Sequence, residues 1–146
     1  MFTFIDQDDI YHLINGRTPM ALSRALGACF KQRNIPITKE QFSILVVLWK
    51  KDGYSQQLLS ELTFRDKPGI TRLIDNLERE KLVIRKPDPF DRRSNLIFLT
   101  EKGKNLEKEV TEAVKKVIQK ASQGLSEEDG ENLKRILGIV YENLKQ

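Results

Sequence analysis

One cysteine in 146 residues leaves no partner for an intrachain disulfide and no thiol cluster for a metal. His12 is the only histidine, so a metal site would have to be built from carboxylates around it, and none is expected. No glycine-rich loop of the phosphate-cradling kind is present, and no nucleophile stands near a base in sequence. Nothing therefore supports catalysis, and no cofactor is expected. No apolar run approaches the length needed to cross a bilayer. The opening stretch MFTFIDQDD is acidic after a short apolar run and lacks the basic region of a signal peptide. A cytoplasmic protein without a membrane partner is the expectation. There is no internal repeat and no low-complexity segment.

What is present is a globular balance, 39% hydrophobic and 32% charged, in a chain long enough to bury a core as one domain. The formal net charge is +4 and the sequence pI about 9.2, compatible with an anionic partner. The excess is not spread evenly. Residues 101–146 carry nine basic and nine acidic side chains, so the whole surplus lies in the first hundred residues. Between Lys81 and Arg93 five basic residues face two acidic ones.

Apolar residues from Asp8 to about Lys31 recur mostly at helical spacing, with Gly16 and Pro19 interrupting them. A kink at Pro19, or a short helix followed by a second one, is predicted. Thr38 to Gln41 reads as a capping box that opens a core helix, EQFSILVVLWKK. Ser55 is placed to cap a short helix with Leu58, Leu59 and Leu62 facing inward. Asp66 is placed to cap a third helix, with Pro68 tolerated in its first turn and Ile70, Leu73, Ile74 and Leu77 as its buried stripe. LVIRK and NLIFL read as two strands joined by a loop of about seven residues. Thr100 then opens a long helix carrying Leu106, Val110, Ala113, Val114, Val117, Ile118 and Ala121 on one stripe. A last helix begins at Ser126 and repeats Leu133, Ile136, Leu137, Val140, Tyr141 and Leu144.

A short helix, a tight turn, a second helix with a polar outer face and then a β-ribbon make a winged helix-turn-helix. The fold class is mainly α with a small β-ribbon. With its apolar stripe inward, the second helix turns Pro68, Arg72, Asp75, Asn76 and Arg79 outward, and arginine and asparagine are suited to base edges in the major groove. Gly69, near the helix start, would let backbone approach a phosphate. The ribbon tip, Asp91-Arg92-Arg93, would carry an arginine to the electronegative minor groove. A solvated turn is the plainer reading of each charge alone; their location on two elements that would face one duplex favours contact with DNA.

The order T-K-E-Q-F, S-x-x-L-L-S-E-L, G-I-T-R-L-I-D-N-L-E-R-E-K-L-V-I-R and D-R-R-S-N-L-I-F-L-T-E-K-G resembles the MarR (multiple antibiotic resistance regulator) family across nearly the whole chain. The resemblance implies a winged-helix homodimer with interlocking first and last helices that binds a pseudo-palindromic operator. A ligand-responsive repressor released by a small lipophilic or phenolic effector, or by thiol oxidation, is the implied function. Arg93 matches the arginine of the wing motif, Asp91 the aspartate that braces it, and Thr71-Arg72 the pair on the recognition helix. Gly69 stands where the family commonly has a hydroxyl residue.

On this reading residues 1–146 are one domain, with 36–100 a DNA-binding lobe and 1–35 plus 101–146 the dimerisation helices. The candidate DNA-contacting residues are Ser55, Gln56, Lys67, Pro68, Gly69, Thr71, Arg72, Asn76, Asp91, Arg92 and Arg93. An effector crevice is expected near Leu13, Leu22, Phe42 and Trp49. Cys29 is the one candidate thiol for redox sensing, with Arg33 a turn away; packing on an apolar face is its plainer role. The competing function is a winged-helix protein-interaction module that does not bind DNA.

Overall fold

Hydroxyl and carboxylate side chains decide where the helices begin. The computed structural model describes residues 16–145, in the order α1 (Arg17–Gln32), α2 (Lys39–Lys50), β1 (Tyr54–Ser55), α3 (Gln56–Leu62), α4 (Lys67–Arg79), β2 (Val83–Pro87), β3 (Asn95–Leu99), α5 (Glu101–Ala121) and α6 (Glu127–Leu144). Thr38, Ser55, Asp66, Thr100 and Ser126 each precede a helix and accept a hydrogen bond from the backbone N–H three residues on. Each satisfies a donor that the first turn leaves without an intrahelical acceptor. Thr38 and Ser126 complete capping boxes with Gln41 and Asp129. The Ser126 backbone N–H, then its hydroxyl, donate to the Asp129 carboxylate and hold that carboxyl below its ordinary range.

Pro19 is the third residue of α1, where the N–H it lacks would have had no acceptor. The proline therefore sits in the first turn of α1 rather than in its interior; the apolar positions before Gly16 lie outside the described residues.

The core joins every layer. Ile44, Leu45 and Leu48 of α2, Leu59 of α3 and Ile70, Ile74 and Leu77 of α4 meet Leu82, Val83, Ile97 and Leu99 beneath the sheet, with Phe30 of α1 and Val110 and Ala113 of α5 closing the other side. α1 lies along α5. Leu58 and Leu62, expected to face inward, are instead 37% and 41% exposed. α3 is only two turns long, so one side chain, Leu59, reaches the centre and its neighbours stay at the rim. The α5 stripe is likewise shorter than its periodicity suggests: Val110, Ala113 and Val117 are buried, while Ile118 and Ala121 are exposed where the helix runs past the core. α6 buries no residue.

The sheet is antiparallel with order β1-β3-β2. Val83 faces Leu99, Arg85 faces Ile97 and Pro87 faces Asn95, which makes β2 and β3 the predicted ribbon. β1 was not expected; its two residues pair with the other edge of β3, Tyr54 opposite Ile97. The ribbon is joined to α5 at a tight crossing. The Thr100 hydroxyl donates to the Lys81 carbonyl at 2.7 Å, and the Thr100 N–H to the Leu82 carbonyl at 3.0 Å. A Cβ on Gly103 would lie 2.2 Å from that same oxygen, so only glycine lets the helix pass. The Gly103 carbonyl then accepts from Trp49 Nε1 at 3.0 Å, tying α5 to α2.

Candidate nucleic-acid interface

The two elements expected to face a duplex stand on either side of one open cleft. Its volume is about 900 Å³, and its walls include Ser55, Gln56 and Lys67 from the helix-turn-helix and Asp91 and Arg93 from the wing. Five candidate residues thus meet at one surface. Arg72 lies outside that cleft, exposed on the outer face of α4, as does Pro68 at the helix start.

α4 is held by its own first turn. Asp66 Oδ1 accepts from the Gly69 N–H at 2.8 Å. The same oxygen lies 2.6 Å from where a Cβ of residue 69 would sit. The cap carboxylate therefore fills the space that a hydroxyl residue would use, and the Gly69 N–H expected to meet a phosphate already has an acceptor.

Several candidates spend their polar atoms inside the protein. Ser55 Oγ caps α3 by accepting from the Leu58 N–H at 3.1 Å. Thr71 Oγ1 donates to the Lys67 carbonyl at 2.9 Å and accepts from Gln56 Nε2 at 2.8 Å, a bond that fixes α3 against α4. Asn76 Oδ1 accepts from the Arg79 guanidinium one turn on.

Arg85 is the residue that sequence reasoning missed. It lies on β2 with a side chain 21% exposed, and its guanidinium reaches back under α4. Nη2 is 2.6 Å from Asp75 Oδ1 and Nη1 is 2.9 Å from Glu78 Oε1. Nε points at Gln56 Oε1 at 3.4 Å, and the backbone N–H donates to Glu78 Oε2 at 3.1 Å. One arginine thus links ribbon, recognition helix and α3. It also pairs with two acidic side chains of α4 and offsets part of their negative charge. The clue in the sequence was the pair of carboxylates on a helix otherwise suited to an anionic partner.

The wing tip is closed by its own aspartates. Asp88 Oδ1 accepts from the Phe90 N–H and Asp91 Oδ1 from the Arg93 N–H, each at 2.9 Å. The Ser94 N–H donates to the Asp91 carbonyl and the Asp88 N–H to the Ser94 carbonyl, both at 3.0 Å. Asp91 therefore supports Arg93 through its backbone, and among the described residues no ion pair joins it to Arg92 or Arg93. Both guanidinium groups are left exposed.

Of the residues expected to line an effector crevice, Phe42 and Trp49 lie together and Leu22 apart from them. Leu13 lies outside the described residues, and Leu22 is exposed on α1. Phe42 packs edge-on against Phe30 at 5.8 Å and beside Trp49 at 6.3 Å between ring centroids. A shallow depression of about 690 Å³ opens elsewhere, between α1 and the start of α2, walled by Gly27, Phe30, Ile37 and Gln41 and by none of those expected. Cys29 is half-buried, and its thiol donates to the Ala113 carbonyl of α5 at 3.7 Å.

Comparison with known proteins adds to this geometry. The sequence profile of the MarR family matches residues 37–94, from the loop before α2 to the wing tip. The chain is similar to the HTH-type transcriptional regulator MhqR of Bacillus subtilis (strain 168), 31% identical over 132 residues that cover 87% of this chain and 91% of that protein. It is also similar to the organic hydroperoxide resistance transcriptional regulator of the same organism, 30% identical over 105 residues covering 72% and 68% respectively. Among solved structures, a MarR transcriptional regulator from Methanosarcina mazei Go1 superposes with a TM-score of 0.78 at 30% identity, covering 86% of this chain and 88% of that one.

Proposed function

The chain belongs to the MarR family of transcriptional regulators, and we propose that it binds a pseudo-palindromic operator as a homodimer, with residues 36–100 as the reading lobe and the terminal helices as the dimerisation region. α4 enters the major groove, where Arg72 reads a base edge, and each wing carries Arg93 to the adjacent minor groove. The observation that carries this reading is the outward face of α4: Arg72 is exposed on it, and the Arg85 guanidinium pairs with both Asp75 and Glu78, offsetting part of their negative charge.

The homodimer is supported by α6, whose Leu133, Ile136, Leu137, Ile139 and Leu144 are all about half or more exposed. A symmetric pair covers these faces and matches a two-fold operator. The effector class follows from the family: a small lipophilic or phenolic molecule seated where α1, α2 and α5 meet, beside Phe42 and Trp49, changes the separation of the two recognition helices and releases DNA. On this reading the protein is a repressor.

Selection of bound duplexes from a random-sequence pool tests the reading. The parent is expected to enrich a two-fold symmetric site. Arg72→Ala should cost about 1–3 kcal/mol on that site and relax preference at one position in each half. An unenriched pool would refute sequence-specific binding. Loss of affinity with no change in preference would remove Arg72 from the bases.

A further inference from the structure

Phe90 is 98% exposed, the most exposed of the large apolar side chains in the described residues. It stands at the tip of the wing with Asp91, Arg92 and Arg93 directly after it. A ring left in water on a flexible loop would mean little, because ordering it on binding would offset what its burial contributes. This loop is not free. Its backbone is closed by the bonds from the Phe90 N–H to Asp88 Oδ1, from the Arg93 N–H to Asp91 Oδ1, from the Ser94 N–H to the Asp91 carbonyl and from the Asp88 N–H to the Ser94 carbonyl. The Phe90 backbone is thus fixed before any partner arrives, and its ring touches almost nothing of its own chain.

We propose that Phe90 is an apolar contact to DNA, its ring seated in the minor groove against the sugars and the edge of a base step beside the site of Arg93. The inference rests on the DNA-binding reading above. The chemistry of the neighbourhood selects this occupant. A protein partner that covered the ring would also have to cover two guanidinium groups for which the wing supplies no ion-pair acceptor. A duplex offers phosphates to the arginines and, between its phosphate rows, an apolar sugar wall and base edges to the ring. Side chains of this type wedge against or between base steps and widen or kink the groove. Such a contact favours steps that unstack readily, so Phe90 adds a preference for deformable sequence at a position that no polar side chain reads.

The ring has no structural partner to lose, so Phe90→Ala is expected to fold as the parent does. Titrations use a duplex selected by the parent protein from a random pool, at several salt concentrations. Phe90→Ala should bind on the order of ten-fold more weakly with the salt slope unchanged, because an apolar ring releases no counterions. Phe90→Trp should retain affinity, and its emission, after subtraction of the parent's Trp49 signal, should change as the duplex saturates it. Affinity of Phe90→Ala equal to the parent's, or emission from Trp at 90 indifferent to DNA, overturns the proposal. So does a change in oligomeric state with unchanged affinity, which would assign the ring to a protein contact. Failure of the parent itself to bind any duplex would instead strike the reading on which this one rests.

Discussion

α4 and α6 are both amphipathic, and they end with opposite fates. α4 places Ile70, Ile74 and Leu77 at 1% exposure or less, whereas the longer α6 buries nothing and leaves its leucines and isoleucines half in water. Periodicity says that a helix has an apolar side; it does not say who covers it. For α4 the cover is in the same lobe, from α2, α3 and the sheet. Among the described residues α6 has little against it, one contact being Tyr141 edge-on to Phe64 at 6.1 Å in the turn before α4. The contrast separates a part that folds around itself from a part that, in the dimer proposed above, needs a second copy.

The sharpest way to break the contrast is to charge the α6 face. Leu133→Glu with Leu137→Glu should abolish self-association at micromolar concentration in a sedimentation experiment. The near-UV signal of Trp49 in the lobe should persist. A dimer that survives both changes would place the interface elsewhere.

Glycine substitutions probe the same difference at single positions. Gly103→Ala forces a methyl onto the Leu82 carbonyl, a backbone atom with nowhere to go. It should destabilise by about 3 kcal/mol, the upper part of the usual range for overpacking, read as a lowered melting temperature. Arg85→Met comes next. The ion pairs it removes are partly exposed, so the stability cost is about 1 kcal/mol or less. DNA affinity should fall further than stability, because Asp75 and Glu78 are then unpaired beside phosphates. Equal affinity for parent and variant would reduce the clamp to a packing feature. The smallest effect is expected at Gly130 in α6, where a Cβ would meet nothing within 4 Å. Gly130→Ala should stabilise by roughly 0.5–1 kcal/mol through helix propensity alone. A loss of stability there would mean that another surface already occupies the space.

How much of this could be read from the chain depends on the range of the interaction. All five helix caps were legible, because a cap and its donor lie three residues apart. So was the ribbon, because its strands are adjacent in sequence and rich in β-branched and aromatic residues. β1 was not, since two residues carry no period. The rim positions of Leu58 and Leu62 were not legible either, because a two-turn helix shows which residues are apolar but not which of them reaches the centre. Arg85 escaped for the opposite reason: its partners Gln56, Asp75 and Glu78 are 29, 10 and 7 residues away and meet only once the ribbon folds back under α4. At the site, the exposed arginines were placed correctly on their elements. Gly69, Thr71 and Ser55 carry intramolecular bonds that residue type alone does not reveal.

Arg93 decides most directly whether the wing tip grips DNA or only turns in solvent. Binding of parent and Arg93→Ala to the selected duplex is measured across a range of salt concentrations. If the guanidinium lies in the minor groove, affinity falls and the slope of log affinity against log salt flattens by about one contact's worth for each wing. Unchanged affinity and an unchanged slope would make the Asp91-Arg92-Arg93 tip a solvated turn and contradict the account.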